Sequence, residues 1–242
     1  MQRLAAIFAH PDDETFATGG TMARCVSEGV ECSLYCATDG DAGRSSGIPV
    51  SSREELGAIR RAELRAACDV LGIRTVVSGG HPDGALQQVD PDVVIGEIVA
   101  LLRRERPDVV VTFGPEGAPT QHRDHRAISR LATAAFMLAG TATAFPEQLA
   151  DGLTPHRAAE LWYSTWCPPV PGEEPATVGQ PIDVIVPVAE WLPAKRAAFE
   201  AHRSQHVHRA SFERIALRDE EYYYVAIRPA GPVASAPAGR RE

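Results

Sequence analysis

Two short stretches of the chain gather the residue types that carry out hydrolytic chemistry. The first, His10-Pro11-Asp12-Asp13-Glu14, places a histidine and three consecutive acids directly after an apolar run, Leu4 to Ala9. Acids ~5 Å apart repel by about 3 kcal/mol per ionised pair at an effective dielectric near 20, so a positive partner should sit beside them. Two partners are open. One is the N-terminus of the helix that follows, where orphan N–H groups and the macrodipole favour acids, and this suits Glu14. The other is a metal ion, because neutral imidazole and carboxylate are ligand types that Zn2+ takes in open catalytic sites.

The second stretch is His122-Arg123-Asp124-His125. Spacing i, i+3 can put His122 and His125 on one helical face, with His122 either in the helix or in the loop before it. Taken alone, such a pair also fits a surface or capping arrangement. A catalytic zinc needs three protein ligands and one open position, and His10, Asp13 and His125 would supply them. Asp12 is then left over, and an unligated carboxylate beside metal-bound water suits a general base in amide or ester hydrolysis. His122 could stabilise the oxyanion or protonate the leaving amine, while Asp124 could orient a histidine. Fe2+ or another divalent ion also fits two histidines and a carboxylate.

These stretches must be brought together by the elements around them. Leu4 to Ala9 is short and nearly continuous in apolar character, as expected of a strand buried on both faces, and Pro11 biases His10 toward extended geometry. Thr15 to Glu28 reads as a helix closed by Gly29, and Val30 to Thr38 as a second strand. Ser51 and Ser52 open a helix that runs to Gly72. Thr75 to Ser78 is a third strand, Asp90-Pro91 opens a helix through Leu102, and Asp108 to Phe113 is a fourth strand. A Gly/Pro loop then leads to a helix over His122 to Leu138. Later come strands at Leu161 to Trp166, Ile182 to Val188 and Tyr222 to Ile227, a loop from Cys167 to Pro181, and a helix from Glu190 to about His202.

The alternation predicts an α/β fold: a Rossmann-like, doubly wound, mostly parallel sheet with helices on both faces, in one domain over residues 1–228. Residues 229–242, rich in Ala, Pro and Gly, read as a disordered tail. With strand order 3-2-1-4-5, the chain reverses between strands one and four, and ligands bind outside their carboxyl ends. His10 and His122 sit at those ends.

The composition narrows the function. A net charge of -8 with no basic run argues against a nucleic-acid partner and for a small-molecule substrate. No charged leader, cleavage site or membrane span is visible, so a cytoplasmic protein is expected. Five cysteines without a C-x-x-C pair indicate neither a disulfide framework nor a Cys-rich metal site. A homo-oligomer is compatible with this reading.

The two motifs resemble those of the LmbE-like or PIG-L-type zinc-dependent N-acetylglucosaminide deacetylases. Thr38-Asp39-Gly40-Asp41-Ala42-Gly43-Arg44, Pro82-Asp83-Gly84, and Lys195 with His202-Arg203-Ser204-Gln205 are further similar pieces. The resemblance implies zinc on His10, Asp13 and His125, Asp12 as base, His122 as the electrostatic or acid partner, and Arg44 and Asp83 facing a substrate sugar. The substrate would be an N-acetylated amino sugar. Arg123 departs from the pattern, since many such proteins have proline there. His81, after strand three, is discounted as a ligand, and His206 and His208 are read as structural or exposed. The alternatives are an amidase of the same family, acting for instance on a mycothiol S-conjugate, and a non-hydrolytic Rossmann-type binding protein. Against the latter, no G-x-G-x-x-G follows the first strand of this chain, and a protein of that type would not need adjacent acids there.

Overall fold

The computed structural model describes residues 1–165 and 179–228. Trp166, most of the loop expected from Cys167 to Pro181, and the tail expected from 229 lie outside the described residues. The elements in chain order are β1 (Arg3–Phe8), α1 (Asp13–Ser27), β2 (Glu31–Thr38), α2 (Arg53–Leu71), β3 (Thr75–His81), α3 (Pro91–Glu105), β4 (Val109–Phe113), α4 (Arg123–Ala139), α5 (Pro146–Ala150), β5 (Glu160–Ser164), β6 (Val184–Pro187), α6 (Leu192–Ala201) and β7 (Glu220–Ile227).

The seven strands form one sheet in the order β3-β2-β1-β4-β5-β7-β6. The first five run parallel, and β7 pairs antiparallel with both β5 and β6. Helices α1, α2 and α6 pack together on one face and α3 against α4 on the other. Strand β1 is therefore covered on both sides, and Leu4 to Phe8 are at most 1% exposed. That burial is why its sequence is a continuous apolar run rather than an alternating one.

Three local outcomes differ from the sequence expectation. Strand β3 continues through Gly79-Gly80 to His81, with a register shift against Cys36 to Thr38 that absorbs the extra residues. Helix α1 starts at Asp13 rather than Thr15. The short helix α5 lies between α4 and β5, where no helix was expected. Cys25, Cys32, Cys36 and Cys68 are buried free thiols. No helix among the described residues is long and apolar enough to cross a membrane.

Helix α1 carries glycines in its interior, normally a cost of about 1 kcal/mol each relative to alanine. Gly20 is needed for close approach: a Cβ there would lie 2.7 Å from the Val188 Cβ, just past β6. The helix that follows the acidic turn is thus pressed against the edge of the sheet's antiparallel half. Between β1 and β4 the connections leave in opposite directions, opening the crevice in which the two motifs meet.

Candidate active site

The turn after β1 is strained at one residue. Asp12 has φ 113°, in the left-handed half of conformational space, a cost of order 1–3 kcal/mol for a residue with a side chain. Its N–H donates to Glu14 Oε2 at 3.0 Å, and Glu14 Oε1 lies 2.7 Å from His202 Nε2. The buried Arg60 guanidinium donates to the Pro11 and Gly40 carbonyls and lies 3.5 Å from Asp12 Oδ1. Gly40 makes room for it, since a Cβ there would fall 2.4 Å from Arg60 Cζ. The Asp12 side chain makes no cap hydrogen bond to α1, which leaves its carboxylate to the crevice. Burial pushes this carboxyl up to about 6, against the opposing pull of Arg60.

Asp13 and the histidines form the next layer. Asp13 Oδ2 accepts the His10 backbone N–H at 2.8 Å and lies 3.4 Å from His10 Nδ1, while Oδ1 lies 3.2 Å from His125 Nε2. Donors each about 2.1 Å from a tetrahedral centre stand ~3.4 Å apart, so these separations suit atoms sharing one ion. Burial alone would raise the Asp13 carboxyl, but His125 and His10 more than reverse this and hold it well below the usual range. The ring of His125 stacks on Phe113, with centroids 4.0 Å apart, and its Nδ1 lies 3.3 Å from Thr120 Oγ1. That leaves Nε2 for the crevice.

His10 turns its Nε2 toward two further carboxylates, Asp83 Oδ1 at 3.1 Å and Asp124 Oδ2 at 3.4 Å. Burial would lower its pKa, yet hydrogen bonds to Asp124, Asp13 and Asp83 raise it well above the ordinary value. A histidine whose Nε2–H is taken up by carboxylates presents Nδ1 as the ligand atom. The donor atoms of His10, Asp83 and Asp124 also cluster tightly, as do those of His10, His122 and His125. Asp124, however, is already occupied, accepting from the Gly84 and Leu86 N–H groups at 2.6 and 3.2 Å. The described residues therefore hold a His/Asp cluster able to take a divalent cation, and its donor chemistry fits one.

His122 is the N-cap of α4, and its Nδ1 accepts the Asp124 backbone N–H at 3.2 Å. This resolves the choice between loop and helix: the residue sits at the boundary. Its ring is 4.8 Å from that of His10, edge to face. Burial lowers its pKa, and His10 and His125 push it further down. A neutral ring with Nδ1 accepting must carry its proton on Nε2. His10, Asp12, Asp13, His122 and His125 face a cleft of about 640 Å³, which Arg44 and Asp83 also line. Asp83 is largely committed to the protein, with Oδ2 accepting the Ala42 N–H at 3.0 Å and Oδ1 on His10. Arg44 is exposed on the rim. His81 lies apart from the cluster, 2.9 Å from Glu97. His206 faces Glu200, whereas His208 lines the cleft.

Residues 5–136 match the PIG-L family, described as GlcNAc-PI de-N-acetylase. The chain belongs to this family. It is 31% identical to 1D-myo-inositol 2-acetamido-2-deoxy-alpha-D-glucopyranoside deacetylase of Rhodococcus opacus, over 84% of this chain and 82% of that protein. It is 32% identical to probable N-acetyl-alpha-D-glucosaminyl L-malate deacetylase 2 of Bacillus cereus, over 85% and 84% respectively. Among solved structures, N,N'-diacetylchitobiose deacetylase from Pyrococcus horikoshii shares the fold with a TM-score of 0.75 at 24% identity, covering 95% of this chain and 87% of that one.

Within this PIG-L fold, several residues that shape the site escaped the sequence reading. Arg60 is one, though a signal existed: it lies four residues from both Leu56 and Leu64, on the apolar stripe of α2. The partner of His202 is another: His202 stands in a stretch that resembles the family, but nothing in the sequence joins it to Glu14, 188 positions away. Lys195 and Glu221 form a buried ion pair at 1% and 5% side-chain exposure. Glu221 also accepts the Gly20 and Thr21 N–H groups, tying α1 to β7. No local pattern marks that tie.

Proposed function

We propose that the protein is a metal-dependent N-deacetylase that hydrolyses the acetamide of an N-acetylglucosamine-containing small molecule. The observation that carries this reading is the meeting of Asp13 with His10 and His125 in one cleft, beside a buried carboxylate, Asp12, that no cap engages. His10, Asp13 and His125 would hold the cation, with zinc the natural occupant of two imidazoles and a carboxylate. What such a cation supplies when bound is Lewis acidity, acidifying water and polarising an amide carbonyl.

The remaining steps belong to the protein's own groups. Asp12, ionised above about pH 6, accepts the proton of the attacking water. His122, holding its proton on Nε2, donates to the oxygen on which negative charge develops or to the departing amine. Asp124 and Asp83 fix the His10 ring through its Nε2. Acetate and the free amine leave through the open cleft. The sugar half of the substrate follows from the relatives, two of which act, by name, on N-acetylglucosamine joined to inositol or to malate. An amidase acting on a mycothiol S-conjugate uses the same chemistry on another acyl group.

The test combines metal analysis with a panel of N-acetylglucosaminides and one S-conjugate amide, scored for released amine with and without chelator. Asp12→Asn should keep the metal and lose most turnover, and His125→Ala should lose the metal. Normal turnover by both variants would refute the mechanism. Release from the S-conjugate alone would move the substrate to the second reading.

A further inference from the structure

One side chain of the cleft wall is held by the protein at one end of its amide and not at the other. Gln205 stands in the short 3-10 turn Arg203–His208 after α6, is only 2% exposed, and lines the cleft beside Ala42, Gly43 and Arg44. Its Nε2 donates to the Arg44 carbonyl at 3.0 Å and to Ser204 Oγ at 2.9 Å, while its Oε1 has no hydrogen-bond partner among the described residues. Both amide protons are thereby used, and both lone pairs of the oxygen are left.

The neighbours dictate which end of the amide is which. A backbone carbonyl only accepts, so the group that meets Arg44 must be the NH2. Ser204 makes the same demand. It is fully buried, its hydroxyl donates to Glu63 Oε2 at 2.6 Å, and its backbone N–H donates to Glu63 Oε1 at 2.8 Å. With its one proton spent, Ser204 Oγ is left to accept. Glu63 is itself buried on α2 and has no ion-pair partner among the described residues, so its two oxygens serve Ser204. The series from Glu63 through Ser204 to Gln205 and Arg44 thus prevents the amide from flipping and turns Oε1 toward the cleft.

The acids beside it are committed elsewhere: Asp83 to the Ala42 N–H and His10, and Glu221 to Gly20, Thr21 and Lys195. Fixing a glutamine side chain costs up to about 2 kcal/mol of rotamer freedom, and here the fixing precedes any ligand. An acceptor held in this way rewards a ligand group that brings a proton and penalises one that does not.

We propose that Gln205 is a specificity-determining residue whose Oε1 accepts a hydrogen bond from a substrate hydroxyl, on the sugar ring or on the group joined to it. The proposal rests on the deacetylase reading and adds a recognition contact to it; Gln205 takes no part in breaking the amide bond.

The experiment is a double-mutant cycle between the protein and the substrate, run on the metal-loaded enzyme. Ethyl N-acetylglucosaminide, its 3-, 4- and 6-deoxy analogues and the 2-hydroxyethyl glycoside are each assayed with wild type, Gln205→Met and Gln205→Asn. The readout is the ratio of kcat/KM with and without each hydroxyl inside one protein, so a uniform loss caused by displacing Arg44 cancels. In the wild type one hydroxyl should be worth about tenfold or more, and that factor should fall toward one in both variants while the other hydroxyls keep theirs. The deoxy sugars report a ring hydroxyl, and the pair of glycosides reports one beyond the ring. If no hydroxyl is worth more than about twofold in the wild type, the proposal is overturned without any variant. Factors equal in all three proteins would also overturn it and leave Gln205 a staple on the Arg44 loop. Gln205→Asn keeps the amide but draws its oxygen back by one methylene, so it carries the test if the methionine variant does not fold. Absence of turnover with every glycoside would sink the deacetylase reading instead. Calorimetric titration of the same compounds then supplies the ratios as Kd, where a hydroxyl-specific loss in the variants supports the Gln205 contact and its absence overturns it.

Discussion

Replacing Arg60 with methionine should move the pH dependence of the reaction rather than merely lower its rate. Burial raises the Asp12 carboxyl to about 6, and Arg60, 3.5 Å away, is the strongest influence keeping it from rising further. Charges ~4 Å apart at an effective dielectric of 20 interact by about 4 kcal/mol. At 1.36 kcal/mol per unit, loss of the guanidinium lifts Asp12 by up to ~3 units, toward ~9. In its proposed role as base Asp12 works in its ionised form, so activity is expected above its pKa and lost as the pH falls through it. The acid limb of kcat/KM should therefore move from about pH 6 or below in the wild type to alkaline pH in the variant. At pH 7 this corresponds to a loss of up to ~100-fold that is recovered as the pH rises. A bound cation lowers Asp12 in both proteins, so the displacement between the two profiles is the quantity to compare. Arg60→Lys keeps the charge and should show the smaller displacement. Because Arg60 also holds the Pro11 and Gly40 carbonyls, metal content and melting temperature should be measured alongside. Coincident acid limbs with a uniform drop in rate would refute the electrostatic role and leave Arg60 a structural clamp.

Two further substitutions probe what braces the catalytic turn. Lys195→Met strands the Glu221 carboxylate without its cation and should cost ~3–5 kcal/mol, read as a fall of about 6–20 °C in Tm; a shift under 2 °C would show that the pair contributes little. His202→Ala removes the partner of Glu14: burial lowers the His202 imidazole, but the Glu14 charge outweighs this and its pKa is raised. Its stabilising contribution is thus full below pH 6.5 and is lost as the pH rises through the raised value. The stability difference between wild type and variant, followed by denaturant titration against pH, should shrink with rising pH; a constant difference would mean that His202 stays neutral.

Much of the parallel half of the sheet was legible because buried parallel strands read as nearly continuous apolar runs, and Leu4 to Phe8 and Val109 to Val111 are such runs. The antiparallel edge was legible as strands but not as pairings. Tyr222 to Ile227 carries no sign that it lies between β5 and β6, since register across long loops is decided by packing. Position 79–81 was misjudged because a strand end rich in glycine has little apolar signal.

For the site, residue type and spacing sufficed to nominate His10, Asp12, Asp13, His122 and His125, because hydrolytic chemistry needs few side-chain types and the turn concentrates them. What they could not supply was the environment of each. That Asp124 spends its oxygens on Gly84 and Leu86, and that Arg60, His202 and Glu221 brace the turn, depends on contacts between residues 20 to 201 positions apart. The sequence alone determined which groups could react. The tertiary structure decided their charge and aim, because burial and distant partners set a carboxylate's pKa and a histidine's tautomer, and neither is a property of the neighbouring chain.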